Sequence, residues 1–111
     1  MRAERWNIRL SALAEHDIAD VLRTTLDMFG PRQVEIYRAI LLDALALLSS
    51  GPDIIGSAAR DDIRPGLRSF HVAQRGRHAR HFIVYRASDG MTVEILRILH
   101  DRMDLATHIP P

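Results

Sequence analysis

The sequence predicts an α+β domain in which an N-terminal strand and a helix hairpin pack on a mainly antiparallel sheet, in the order β-α-α-β-β-β. Two observations carry this prediction. Before residue 50, apolar residues recur at three- and four-residue steps, as on amphipathic helices, whereas the second half holds short β-branched and aromatic runs typical of strands. Gly and Pro punctuate the chain between these segments, and late turn signals join consecutive strands directly, which sets those strands antiparallel.

Trp6, Ile8 and Leu10 alternate with polar residues, so 6–10 reads as a short half-buried strand. Ser11 offers its hydroxyl to the first free amides of a helix, and Glu15 and Asp17 follow near the positive end of the helix dipole. Ala14, Ile18, Val21, Leu22, Thr25 and Phe29 form one stripe along it. Gly30 and Pro31 end this helix and start the next, because Gly accepts left-handed geometry and the missing N–H of Pro costs nothing at the first helical position. The connection is so short that the second helix, with Val34, Tyr37, Ile40, Leu41, Ala44, Leu45 and Leu48 on its apolar face, folds back on the first. Gly51 and Pro52 stop it. Residues 53–65 read as a loop, 66–72 as a strand, 73–78 as a polar basic loop and 81–86 as a central strand. Asp89 and Gly90 form a two-residue hairpin signal, since a type I′ turn needs positive φ at both central positions. The run Val93, Ile95, Leu96, Ile98 and Leu99 makes 91–100 the longest and most buried strand, followed by a polar tail at 101–111 with one helical turn.

With 111 residues, 47% hydrophobic and 26% charged, the chain fits a single domain spanning 1–111. No apolar run approaches the roughly 18 to 20 residues that span a bilayer, and the charged N-terminus is followed by no apolar signal segment, so the expected location is the cytoplasm. Cysteine is absent, which excludes disulfides, thiol catalysis and cysteine metal sites. His78 and His81 lie on a loop and a strand with only the more distant His71 to join them, so no metal is expected, and the isolated glycines offer no phosphate loop or cofactor site. All 15 Lys-plus-Arg positions are Arg, a bias that genomic base composition explains as readily as chemistry does. Their distribution says more. Residues 1–59 hold six Arg against eight acids, whereas 60–86 hold seven Arg against Asp61 and Asp62, so the second segment suits an acidic partner.

The run Asp61-Asp62-Ile63-Arg64-Pro65-Gly66-Leu67-Arg68-Ser69-Phe70, the strand ending in Tyr85-Arg86, and Val93-Glu94-Ile95-Leu96-Arg97-Ile98-Leu99-His100-Asp101-Arg102-Met103-Asp104 resemble, in order and spacing, the ParE-type toxins of bacterial toxin-antitoxin operons. Leu10-Ser11 with Ala14, Asp17 and Ile18 fits the start of their first helix, and Phe29-Gly30 with Gln33 and Tyr37 fits the helix turn. The resemblance covers roughly residues 6–104 and places the chain in the RelE/ParE superfamily, on the ParE branch. It implies a RelE/ParE-like fold, a ParD-like antitoxin whose flexible C-terminal segment wraps the toxin, and DNA gyrase as the target. DNA contact is then indirect, through the antitoxin.

Two alternatives stay open at this level: a RelE-like ribosome-dependent mRNA endonuclease, and a non-toxic member that only binds its antitoxin. Nuclease chemistry needs a base for the 2′-hydroxyl, an acid for the leaving oxygen and cations on the scissile phosphate. Arg68, Arg86 and Arg97 are the candidate cations and His100 the candidate acid or base; otherwise His100 is a strand-end residue that bonds backbone and fixes the tail. Arg75, Arg77 and Arg80, with Arg68 and Arg86, are the candidate antitoxin contacts. Gln74, His78, Asp101, Arg102, Met103 and Asp104 are the candidate target contacts. Trp6 and Tyr37 read as packing residues. A polar, exposed tail predicts that deleting 101–111 abolishes toxicity without loss of antitoxin binding.

Overall fold

The structure, a computed structural model, describes residues 5–74 and 76–109; the candidate antitoxin contact Arg75 and the last two residues of the tail lie outside the described residues. The chain runs β1 (Asn7–Leu10), α1 (Ala12–Phe29), α2 (Pro31–Leu48), β2 (Ser57–Ala59), β3 (Leu67–His71), β4 (His81–Ser88), β5 (Thr92–His100) and α3 (Leu105–His108). One five-stranded sheet has the order β1-β5-β4-β3-β2. β1 runs parallel to β5 and the remaining pairs are antiparallel, so the α+β expectation holds and β4 is central. The sequence reading passed over β2, whose Ser57, Ala58 and Ala59 carry no apolar alternation; it pairs with β3 at an exposed edge after Gly56 turns the chain at φ +96°.

Local chemistry sets the helix ends. Ser11 Oγ accepts the Ala14 N–H at 3.0 Å and donates to the Leu96 carbonyl at 2.9 Å, so one hydroxyl caps α1 and pins its start to β5. Gly30, at φ +87°, donates its N–H to Leu26 O at 3.0 Å, and Pro31 opens α2. α1 and α2 fold back on each other as expected, but Phe29 departs from the predicted stripe. It is the last residue of α1, at the tip of the hairpin, and 68% of its surface is exposed. Asp17 departs in the other direction, lying buried beside β5 where the helix-dipole reading placed an exposed charge.

Both faces of the sheet are covered. On one, Ile83, Tyr85, Val93, Ile95 and Ile98 pack against α1 and α2 through residues such as Ala14, Leu41, Ala44 and Leu48. On the other, Leu67, Val84 and Leu99 pack against Leu105 and Ile109 of the tail. A bulge makes this two-sided burial possible. Val84 pairs with Arg97 and Tyr85 with Ile95, which leaves Leu96 as an extra residue on β5 and reverses the facing of the residues on either side of it. The adjacent apolar pairs Ile95-Leu96 and Ile98-Leu99 thereby serve opposite faces.

Two expectations change here. The tail is no free polar appendage: Leu105 and Ile109 are buried, because α3 turns back to cover apolar groups that β3, β4 and β5 would otherwise expose. The β4–β5 turn also differs from a two-residue hairpin. Ser88 pairs with Thr92, and positive φ falls on Gly90 (69°) and Met91 (50°), so the loop spans three residues and Asp89 stays outside the left-handed region. Among the described residues, no helix is long and apolar enough to cross a membrane.

Candidate functional site

The meander brings three strand ends to one edge of the sheet: β3 finishes at His71, β4 starts at His81 and β5 finishes at His100. His81 pairs with His100 across the β4–β5 ladder, their rings 5.2 Å apart edge to face. Tyr37 of α2 meets this edge. Burial, with a further contribution from neighbouring His100, lowers the pKa of His81 from 6.5 to about 4. At neutral pH its Nδ1 is therefore an acceptor, and Tyr37 donates its hydroxyl proton there at 2.5 Å while accepting the Arg80 N–H at 3.2 Å. Burial holds the Tyr37 hydroxyl above its ordinary pKa, so the pair is uncharged.

Asp101 gathers the charged groups around this pair. His71 Nδ1 accepts the Ala73 N–H at 3.0 Å, which leaves Nε2–H to donate to Asp101 at 3.1 Å. That bond, assisted by Arg80 at 3.5 Å, keeps the Asp101 carboxyl below the usual carboxylate range. His100 Nδ1 accepts the Arg102 N–H at 3.1 Å, the backbone-fixing role that was one of its two readings.

Beside this cluster runs a groove of about 990 Å³. One wall is a continuous face of α1 that includes Asp17, Val21, Thr25 and Met28; the other comes from 77–81, the end of β5 and Met103. Met28 and Phe29 at its rim are 67% and 68% exposed. Arg77 separates it from a smaller cavity of about 450 Å³ beneath the end of α2, where Arg77 pairs with Asp43 at 2.7 Å.

The candidate nuclease groups do not converge. On β4, Arg86 lies five residues from His81, the partner of His100, a separation of roughly 17 Å at strand rise. Arg68 pairs with Tyr85 and Arg97 with Val84, four and three residues from His81, or roughly 13 and 10 Å. Each cation also has internal work. Arg68 donates to Pro52 O and Ser57 Oγ, both at 2.8 Å; Arg86 pairs with Glu94 at 3.2 Å. Arg97 donates to Asp17 through Nε (2.8 Å) and Nη2 (2.9 Å) and to His108 O through Nη1 (2.7 Å). The Ile98 N–H completes the Asp17 set at 2.9 Å. The proposed trio of cations is thus a set of structural ties, and Arg68 and Arg86 stand apart from Arg77 and Arg80.

Of the other candidates, Arg77, His78, Arg80 and Met103 come together on the groove. Gln74 donates to His71 O at 2.7 Å, and Asp104 caps α3 by accepting the Ala106 N–H at 3.2 Å. Tyr37, His71 and His81 escaped the sequence reading. Their signal was the hairpin register, which places the end of one strand beside the start of the next. Among the described residues, no group of three or more His, Asp or Glu is arranged to hold a metal ion.

Comparison with known families matches residues 8–105 to the ParE toxin of type II toxin-antitoxin system, parDE. The chain belongs to the ParE toxin family. It is 31% identical to Toxin ParE1 of Mycobacterium tuberculosis over 96 residues, covering 86% of this chain and 90% of the relative. Toxin ParE of Escherichia coli is 30% identical over 100 residues, covering 90% and 89%. Among solved structures, a chain of the chromosomal ParDE system from P. aeruginosa superimposes with a TM-score of 0.66 at 18% identity, over 87% of this chain and 97% of that one. A chain of the RelBE2 toxin-antitoxin complex from Mycobacterium tuberculosis gives 0.55 at 25% identity, over 86% and 98%. The ParE fold is thus shared with the RelE branch, while the sequence match names the ParE branch.

Proposed function

We propose that this ParE-family chain is a cytoplasmic toxin that acts by binding a protein target, DNA gyrase, and that a ParD-like antitoxin silences it. The observation that carries the protein-binding reading is the dispersal of Arg68, Arg86 and Arg97, each tied to an internal acceptor and none within reach of a phosphate held at His100. A ribonuclease needs those charges preorganised around one reacting centre. What remains at the surface is an apolar groove with basic groups beside it, which suits a protein partner. The ParDE and RelBE2 complexes among the similar structures support an antitoxin as one partner.

The test is induced expression without antitoxin, with parallel pulse labelling of DNA and protein synthesis, followed by a supercoiling assay with purified gyrase. A first fall in DNA synthesis and inhibited supercoiling are expected. An early fall in protein synthesis would return the ribonuclease reading, and absence of arrest would make the chain a non-toxic antitoxin binder.

A further inference from the structure

We infer that the groove between α1 and the histidine edge of the sheet seats an amphipathic helix of the antitoxin whose polar face carries carboxylates. This rests on the antitoxin reading above and adds the place, shape and chemistry of the bound segment.

The shape comes from α1. Asp17, Val21, Thr25 and Met28 recur at three- and four-residue steps and line the groove over roughly 16 Å at helical rise, a length that about three turns of a second helix would fill. At about 990 Å³ the groove can take a row of side chains from such a helix. Its rim explains the apolar requirement. Met28 and Phe29 are two-thirds exposed and Met103 nearly half, and these three stand around one opening where water gains nothing from them.

Charge selects the polar residues. The acid deepest in the groove, Asp17, is already matched by Arg97, and Asp20 pairs with His16 at 3.2 Å. On the facing wall Arg80 keeps 59% of its side chain exposed, at 3.5 Å from an Asp101 that His71 also binds. Arg77 and His78 stand beside it. A carboxylate on the incoming segment therefore finds cations with unused donors, whereas a basic residue there meets like charge.

The test uses the full-length chain and the antitoxin purified from its own operon, with affinity measured by calorimetry. Phe29→Asp and Met28→Asp alter exposed side chains and should leave the melting temperature unchanged while weakening binding at least thirtyfold. Arg80→Ala should weaken it about tenfold and flatten its salt dependence. Leu42→Asp, exposed on α2 and outside the groove, is the control and should bind as wild type. If wild type binds the antitoxin and the groove variants bind equally well, the groove assignment is overturned and the antitoxin reading stands. If wild type binds no antitoxin from its operon, the antitoxin reading falls and takes the groove with it. Loss of a concentration-dependent dimer in the groove variants, with antitoxin affinity intact, would make a second copy of the chain the occupant and overturn the inference.

Discussion

Asp17→Ala tests the most consequential tie in the fold. The carboxylate accepts two hydrogen bonds from Arg97 and one from the Ile98 N–H, all between 2.8 and 2.9 Å, and joins α1 to β5. Truncation strands a guanidinium and a backbone amide together. Removing one partner of a buried ion pair costs about 3 to 5 kcal/mol. Arg97 keeps 19% of its side chain exposed and can turn partly to water, so the lower end, about 3 kcal/mol, is expected. A domain of this size has a total stability on the order of 5 to 15 kcal/mol. The loss should lower the melting temperature by on the order of 12 °C, at about 4 °C per kcal/mol. Urea unfolding of the purified chain measures it directly. Asp17→Asn keeps an acceptor for the Ile98 N–H and should lose about half as much. The double variant Asp17→Leu with Arg97→Met removes both charges and should be more stable than Asp17→Ala alone. A loss below about 1 kcal/mol for Asp17→Ala would falsify the claim that this pair holds α1 on the sheet.

Three further perturbations have signed outcomes. His81 is neutral in the fold with a pKa of about 4 against 6.5, so its stability contribution is present above pH 6.5 and lost as the pH falls toward 4. The full difference corresponds to about 3.4 kcal/mol, and partial solvent access reduces it to on the order of 2. His81→Asn, which keeps an acceptor for Tyr37, should remove that part of the acid loss in urea titrations between pH 4 and 7; an unchanged pH profile refutes the assignment. Asp101 acts outside this window, because its depressed carboxyl titrates below 3.8. Leu105→Ala and Ile109→Ala should each cost about 2 kcal/mol by uncovering Val84 and Leu99, and wild-type urea midpoints would show that the tail does not pack there. Gly30→Ala should cost about 1 to 2 kcal/mol through φ +87° alone, since nothing lies within 4 Å of an added Cβ; a neutral result would mean that the hairpin tip relaxes.

The fold was legible wherever a local period set it. The stripe around Ala14, Ile18 and Val21, the stop at Gly30-Pro31 and the β-branched run at β4 each predict their element without tertiary help. β2 was not legible, because three small residues at an edge have no buried face to write into the sequence. Asp17 was misread for a different reason. An acid in the first turns of a helix looks like a dipole partner, and only the β5 register reveals that Arg97 and the Ile98 N–H wait for it. The arginines illustrate the same limit. Their number suggested a charged surface, yet Arg68 and Arg97 are tied to internal acceptors, and contacts between residues far apart in sequence decided which charges stayed available.

The groove also connects antitoxin binding to silencing. His78 and Met103, candidates for target contact, line the same groove as Arg77 and Arg80, candidates for antitoxin contact. A helix seated along α1 would therefore cover them directly, with no conformational change in the toxin needed. Occlusion of this kind predicts mutual exclusion: the antitoxin and the target compete for one chain, and the competition weakens when either Phe29 or Met103 becomes Asp. A conformational mechanism predicts the opposite dependence, in which antitoxin binding alters a distant surface while the groove variants leave target affinity untouched. Exchange protection at α1 and at 77–81 on adding antitoxin, without change at the β4–β5 turn, would favour occlusion, because that turn lies at the opposite end of the β4–β5 ladder from His81 and His100.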